Sequence, residues 1–96
     1  MRKHARIDAN QKKIVSHLRD IGCTVLVTSQ LGKGAPDIIV GYKGKNYLIE
    51  IKDGEKRLSQ QKLTPDEIKF QSEWKGAYFV INNLNDLKDI ILQDEQ

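Results

Sequence analysis

Gly34-Ala35-Pro36-Asp37-Ile38-Ile39-Val40-Gly41-Tyr42-Lys43-Gly44-Lys45-Asn46-Tyr47-Leu48-Ile49-Glu50-Ile51-Lys52 is the stretch that decides the fold. Two apolar, β-branched runs flank the turn dipeptide Lys43-Gly44, which predicts a β-hairpin with strands over roughly 37–42 and 46–52. Both runs carry charges that a buried strand ordinarily excludes. With Lys43-Gly44 as the loop, Tyr42 opposes Lys45 and Asp37 opposes Glu50. With Gly44-Lys45 as the loop, Asp37 opposes Lys52 and Ile39 opposes Glu50. Opposed residues share a face, as do residues two apart on one strand. Either register therefore brings Asp37, Glu50 and Lys52 to one side of the sheet. Two carboxylates and an ammonium at one place form a candidate site for a divalent cation and a polarised water.

Working outward, residues 7–21 predict a first helix, with Ile7, Ile14, Val15, Leu18 and Ile21 on one stripe and Gly22 as its stop. Gln11 admits two readings. It is either a polar residue on the inward stripe or the N3 member of a capping box whose N-cap is Asp8. Thr24–Ser29 predicts a strand. Gln30–Ala35, with two glycines and Lys33, predicts a flexible loop that leads into Pro36-Asp37. After the hairpin, Asp53–Leu63 predicts a mobile, mildly basic loop near the site. Thr64-Pro65-Asp66-Glu67 opens a second helix, with Thr64 as N-cap, Pro65 at N1 and Glu67 at N3, and the helix runs to about Lys75 before Gly76. Ala77–Asn82 predicts a fourth strand. Asn83-Leu84-Asn85-Asp86 caps a last helix that carries Leu84, Leu87, Ile90 and Ile91 on one side. The expected architecture is α/β in the order α-β-β-β-α-β-α, a mixed four-stranded sheet flanked by helices, in one domain over 1–96.

Composition sets the outer bounds. Ninety-six residues support one core. A single cysteine, Cys23, excludes an internal disulfide, and no secretory segment is evident, so an intracellular setting is expected. No apolar run approaches the ~20 residues of a membrane span. Cys23 reads as a small buried residue, and His4 and His17 lack metal-ligand spacing. The net charge of +3 and a pI of about 9.0 come from basic residues toward the N-terminus and around the hairpin, with acids collecting toward the C-terminus. That asymmetry fits a phosphate-facing front, and equally an ordinary lysine-rich surface.

Pro36-Asp37 with Glu50-Ile51-Lys52 resembles the PD-(D/E)XK nuclease superfamily. Because 30% of the residues are charged, the acid-x-Lys pattern recurs at Glu67-Ile68-Lys69, Glu73-Trp74-Lys75 and Asp86-Leu87-Lys88. Those copies fall in helix-like segments, where residues two apart diverge. Only Glu50/Lys52 has an Asp-bearing partner strand. Either strand alone reads as a solvated face with a salt bridge; the shared face, the glycine-rich approach and the element order together favour a catalytic site. The element order matches the restriction-endonuclease-like core. Gly34-Ala35-Pro36-Asp37, Leu48-Ile49-Glu50-Ile51-Lys52 and Leu63-Thr64-Pro65, opening a helix with Gln71, are most similar to stand-alone virus-type replication-repair nuclease (VRR-NUC) domains. Those domains are similar in architecture to Holliday-junction resolvases, and the likeness spans roughly residues 7–92.

Asp37 and Glu50 are the candidate metal ligands, and the resemblance implies that the Ile51 carbonyl completes the set. Mg²⁺ suits these oxygens, with Mn²⁺ as a substitute. Three roles are open to Lys52: orienting the attacking water, stabilising developing charge, or acting as a base with a lowered pKa. The family commonly adds an acid from the first helix, where this chain offers the neutral Gln11. Gln71 matches a family position whose amide reaches the site or the DNA, and its spacing from Ile68 and Trp74 predicts that it faces inward. Lys33, Lys56, Arg57 and Lys62 are candidate DNA contacts on the flanking loops. Phe70 and Trp74 read as core or interface. The resemblance implies a metal-dependent endonuclease, bacterial or phage-encoded, acting in DNA repair on branched DNA such as a four-way junction. Symmetric cutting of such a junction requires a homodimer. Flap nicking, restriction-like cutting and a non-catalytic DNA-binding module are the rival readings.

Overall fold

Lys43 and Gly44 both take positive φ, 51° and 82°, the requirement of a tight two-residue hairpin turn. The turn fixes the register of β2 (Ile38–Tyr42) on β3 (Lys45–Ile51): Tyr42 pairs with Lys45 and Ile38 with Ile49. Of the two registers allowed by the sequence, the Lys43-Gly44 loop is the one formed. The computed structural model describes residues 9–53 and 62–93.

β1 (Thr24–Val27) adds antiparallel to β2, and β4 (Tyr78–Ile81) adds parallel to β3, giving a four-stranded mixed sheet in the order β1-β2-β3-β4. Among the described residues the α-helices are α1 (Ala9–Asp20), α2 (Pro65–Glu73) and α3 (Leu84–Gln93). Strand alternation divides the sheet residues between two faces. Ile38, Val40, Tyr47, Ile49, Ile51 and Ile81 form the core with Ile14, Val15 and Leu18 of α1 and Leu87 and Ile91 of α3. Leu48, Glu50, Tyr78 and Val80 point the other way. On that side α2 lies against the sheet, with the Phe70 ring 5.9 Å from Tyr78. None of the described helices is long and apolar enough to cross a membrane.

Element ends differ from expectation for local reasons. α1 closes at Asp20, where Gly22 takes φ +101° and the Cys23 N–H donates to the Leu18 carbonyl, so Ile21 lies beyond the helix and is exposed. Cys23 is buried, as its position between helix and strand predicts. β1 stops at Val27 rather than Ser29. Thr28 leaves the extended region at ψ 5°, and Ser29–Leu31 forms a single 3-10 turn, so the approach to Asp37 is built from defined turns. α2 ends at Glu73 rather than Lys75 because Trp74 becomes extended, its ring stacked on Phe70 at 5.5 Å. The face that α2 turns to the sheet decides the place of Gln71. Its neighbours on the helix stripe, Ile68 and Trp74, are 53% and 45% exposed, whereas Glu67 and Phe70 face the sheet, so Gln71 is exposed rather than inward. α3 starts as its sequence predicts, with the Asp86 N–H donating to Asn83 Oδ1.

Candidate active site

β2 ends one residue short of Asp37, and the site is built where its ladder stops. The Asp37 N–H donates to the Ile49 carbonyl, and Asp37 Oδ2 accepts the Ile51 N–H at 2.8 Å. The aspartate side chain thus takes the place that a further strand residue would occupy beside β3. The N–H and C=O of a strand residue leave on the same side, so the Ile51 carbonyl also points toward the Asp37 edge. The loop before Asp37 is held by Thr28, whose Oγ1 donates to the Pro36 carbonyl at 2.6 Å and whose N–H donates to the Asp37 carbonyl.

Glu50 is 3% exposed and adjoins Asp37 on the α2 side of the sheet. Its Oε2 is 3.4 Å from Lys52 Nζ, while its Oε1 is buried and accepts no hydrogen bond among the described residues, the Asp37 and Glu67 carboxyls beside it being able only to share the Glu50 proton. Burial, then the Asp37 charge, push the Glu50 carboxyl up to about 9. Burial also raises Asp37, against the opposing pull of the Ile51 N–H.

Lys52 reaches past Glu50 to Glu67, with Nζ to Oε1 at 2.8 Å. Burial alone would lower the lysine, but Glu67 and Glu50 outweigh it and hold Lys52 above its ordinary value. Burial pushes Glu67 up, yet the Lys52 ammonium and the Thr64 N–H prevail and keep it below the usual carboxylate range. Tyr78, on the same face, has a buried hydroxyl with no partner among the described residues. It is pushed up to about 12 by burial and by the charges of Glu50, Glu67 and Asp37.

The hairpin therefore brings Asp37, Glu50, Ile51 and Lys52 together. Gln11 is buried on the inward side of α1, on the layer opposite α2, and lines a groove with Val15, Arg19 and Val27; Asp8, the N-cap of its other reading, lies outside the described residues. Lys33, at φ 57°, and Lys62 are exposed; Lys56 and Arg57 lie outside the described residues. Glu67 is the site member that pattern-reading missed. It belongs to one of the acid-x-Lys copies set aside as helical, and the helix does separate it from Lys69. Thr64 and Glu67 form a complete capping box, which the sequence does signal and which turns the glutamate back to the helix start; its reach to Lys52 comes from how α2 lies on the sheet. Tyr78 carried no sequence signal beyond its place on a strand.

Among the described residues no three His, Cys, Asp or Glu side chains are grouped to hold a metal. The acidic donors open to a cation are Asp37 and Glu50, since Glu67 is engaged by Lys52 and the Thr64 N–H. The orphaned, buried Glu50 Oε1 beside a second carboxylate is nonetheless the environment that a cation satisfies, and the oxygen-only set fits a hard divalent ion. No protein-family model and no curated protein matches this chain.

Proposed function

We propose that this protein is a metal-dependent DNA endonuclease that hydrolyses phosphodiesters, with branched DNA as its substrate. The observation that carries the reading is the buried Glu50 carboxylate, one oxygen without a partner, set between Asp37 and Lys52 at the open end of β2. The resemblance to VRR-NUC domains within the PD-(D/E)XK superfamily supplies the substrate class.

Asp37, Glu50 and the Ile51 carbonyl would hold Mg²⁺ or Mn²⁺. When bound, such an ion lowers the pKa of water and neutralises phosphoryl charge. Asp37 is aimed by the Ile51 N–H, so its second oxygen is presented in a fixed direction. Glu50 contributes the oxygen that no protein donor occupies. Lys52, flanked by two carboxylates, stays an ammonium, which supports charge stabilisation at the transition state over a general-base role. Paired cuts in a four-way junction require two such sites related by a two-fold axis, so the active form is a homodimer. Exposed Leu31, Ile68 and Trp74 are apolar surface available for self-association.

The test is cleavage of labelled four-way junction, flap and linear duplex in Mg²⁺ or Mn²⁺, comparing the wild type with Lys52→Ala. Metal-dependent cuts lost in Lys52→Ala are expected. Junction binding with no cutting by the wild type would refute an enzyme and leave a DNA-binding module.

A further inference from the structure

We propose that Glu67 is a positioning residue for Lys52: it anchors the ammonium to the first turn of α2, so that Lys52 keeps its place when Glu50 is drawn to a cation. The role given to Lys52 rests on the nuclease reading; the anchoring rests on geometry alone. Lys52 has two acidic partners at unequal distances, Glu67 at 2.8 Å and Glu50 at 3.4 Å. Glu50 is the one whose other oxygen lacks a partner, and it is therefore the one a cation would recruit. The longer contact is then given up and the shorter one remains. A lysine has a flexible four-carbon stem. Without Glu67, no ion pair but the one to Glu50 would hold that stem among the described residues, leaving it to follow Glu50 or turn to solvent.

Glu67 is itself held in place. The oxygen that meets Lys52 also accepts the Thr64 N–H at 2.9 Å, and the Thr64 hydroxyl accepts the Glu67 N–H at 3.2 Å. Most capping boxes close a helix end locally. This one also carries an ion pair to the residue just past the end of β3, with both side chains largely buried, 12% exposed for Lys52 and 16% for Glu67. The same helical turn meets the other half of the site. Gly34, at φ +79°, packs so closely on the Asp66 carbonyl and the Glu67 N–H that a Cβ there would overlap them. The first turn of α2 thus joins the loop that delivers Asp37 to the lysine that follows Glu50.

The experiment compares wild type, Glu67→Ala, Glu67→Gln and Thr64→Ala by two readouts. One is the side-chain ¹⁵N–¹H signal of the Lys52 ammonium, assigned by its absence in Lys52→Arg, with and without Mg²⁺. The other is turnover on a labelled four-way junction, with kcat and KM separated. In the wild type the Lys52 signal is expected to persist through Mg²⁺ addition. In Glu67→Ala it should vanish, and kcat should fall ~10–100-fold, the usual effect of losing an outer-shell partner, with KM within about twofold. Glu67→Gln keeps the cap acceptor and guards against a failure to fold; its losses should run in the same direction. Thr64→Ala should lower Tm while keeping the Lys52 signal and most of the turnover. A Glu67→Ala protein with wild-type signal and kcat, or a Thr64→Ala protein that loses as much kcat, would overturn the proposal. A wild type that cuts no DNA while its Lys52 signal still depends on Glu67 would refute the nuclease reading and leave the anchor standing.

Discussion

Asp37 and Ile51 are joined by a side-chain hydrogen bond, 2.8 Å from the Ile51 N–H to Asp37 Oδ2, at the point where regular β2–β3 pairing ends. A candidate ligand thereby doubles as the last rung of the sheet. Removal and replacement of the carboxylate should separate these two duties. Asp37→Asn keeps an acceptor for Ile51, so its Tm should stay close to wild type while divalent-ion binding and cleavage are lost. Asp37→Ala leaves a partly buried N–H unpaired, which costs about 1–3 kcal/mol. For a domain of this size each kcal/mol lowers Tm by roughly 4–8 °C. Thermal melts of the two variants, beside calorimetric Mn²⁺ titrations, check the split. Equal Tm losses would mean that the hydrogen bond is not what Asp37 contributes to stability.

Glu50 gives the protein a distinctive pH dependence. Its carboxyl sits near 9 when folded and in the ordinary carboxylate range when unfolded, so between those values the folded chain holds a proton that the unfolded chain has released. Stability must then be greatest at the acidic end of that window and fall as pH rises toward 9. Asp37, also raised, acts in the same sense, while Glu67, lowered, loses its contribution only as pH drops below the usual carboxylate range. Glu50→Gln should flatten the decline and exceed wild-type stability by about 1–3 kcal/mol near pH 9, since it removes a buried charge. Mg²⁺ or Mn²⁺ should raise the wild-type Tm most at alkaline pH and leave Glu50→Gln unaffected. Urea melts from pH 5 to pH 9 read the slope directly; a stability that rises across that range would contradict it.

The hairpin was legible because its information is local. Alternation puts Asp37, Glu50 and Lys52 on one face whichever of two residues begins the turn, and the positive φ of Lys43 and Gly44 then selects the register. The cap at Thr64 was equally readable, for the same reason. Contacts between elements distant in sequence were not. Nothing in Glu67-Ile68-Lys69 separates a solvent-facing N3 glutamate from one that reaches Lys52, because that depends on how α2 lies across the sheet. The inward face of α2 differs from expectation for a related reason: the helix turns Glu67 and Phe70 toward the sheet, Phe70 against Tyr78, which leaves Ile68, Gln71 and Trp74 exposed.

Lys52 pairs with Glu67 and, once Glu50 ionises at alkaline pH, with both carboxylates, so its loss should be felt in stability as well as in turnover. Lys52→Met keeps the apolar stem but leaves Glu50 and Glu67 facing each other without a cation. Breaking a buried ion pair from one side costs about 3–5 kcal/mol, and the partial exposure of this cluster places the expected loss at the lower end. Glu50 takes up a proton as pH falls below about 9 while Glu67 stays ionised, so the deficit should be largest at alkaline pH and shrink as pH drops through about 9. Cleavage should drop by at least ~10²-fold at every pH. Paired melts at pH 5 and pH 9 test the first claim, and single-turnover rates the second. A pH-independent deficit would place the cost in packing rather than in charge.

Gly34 and Gly44 share nearly the same backbone angle, φ +79° and +82°, but differ in what surrounds them. A Cβ at Gly44 meets nothing within 4 Å, so Gly44→Ala should incur only the strain of the left-handed region, about 1–2 kcal/mol. A Cβ at Gly34 would overlap the Asp66 carbonyl and the Glu67 N–H, both backbone groups of the α2 first turn that cannot rotate aside. Gly34→Ala must therefore part the Asp37 loop from α2 or unwind the turn. Its stability cost should exceed that of Gly44→Ala by at least ~1 kcal/mol. It should also impair divalent-ion binding, because Asp37 follows the loop, whereas Gly44→Ala should bind the ion as the wild type does. Urea denaturation of both variants with Mn²⁺ titration separates strain from collision. Equal costs with unimpaired binding would show that the close approach of the loop to α2 is not needed to place Asp37.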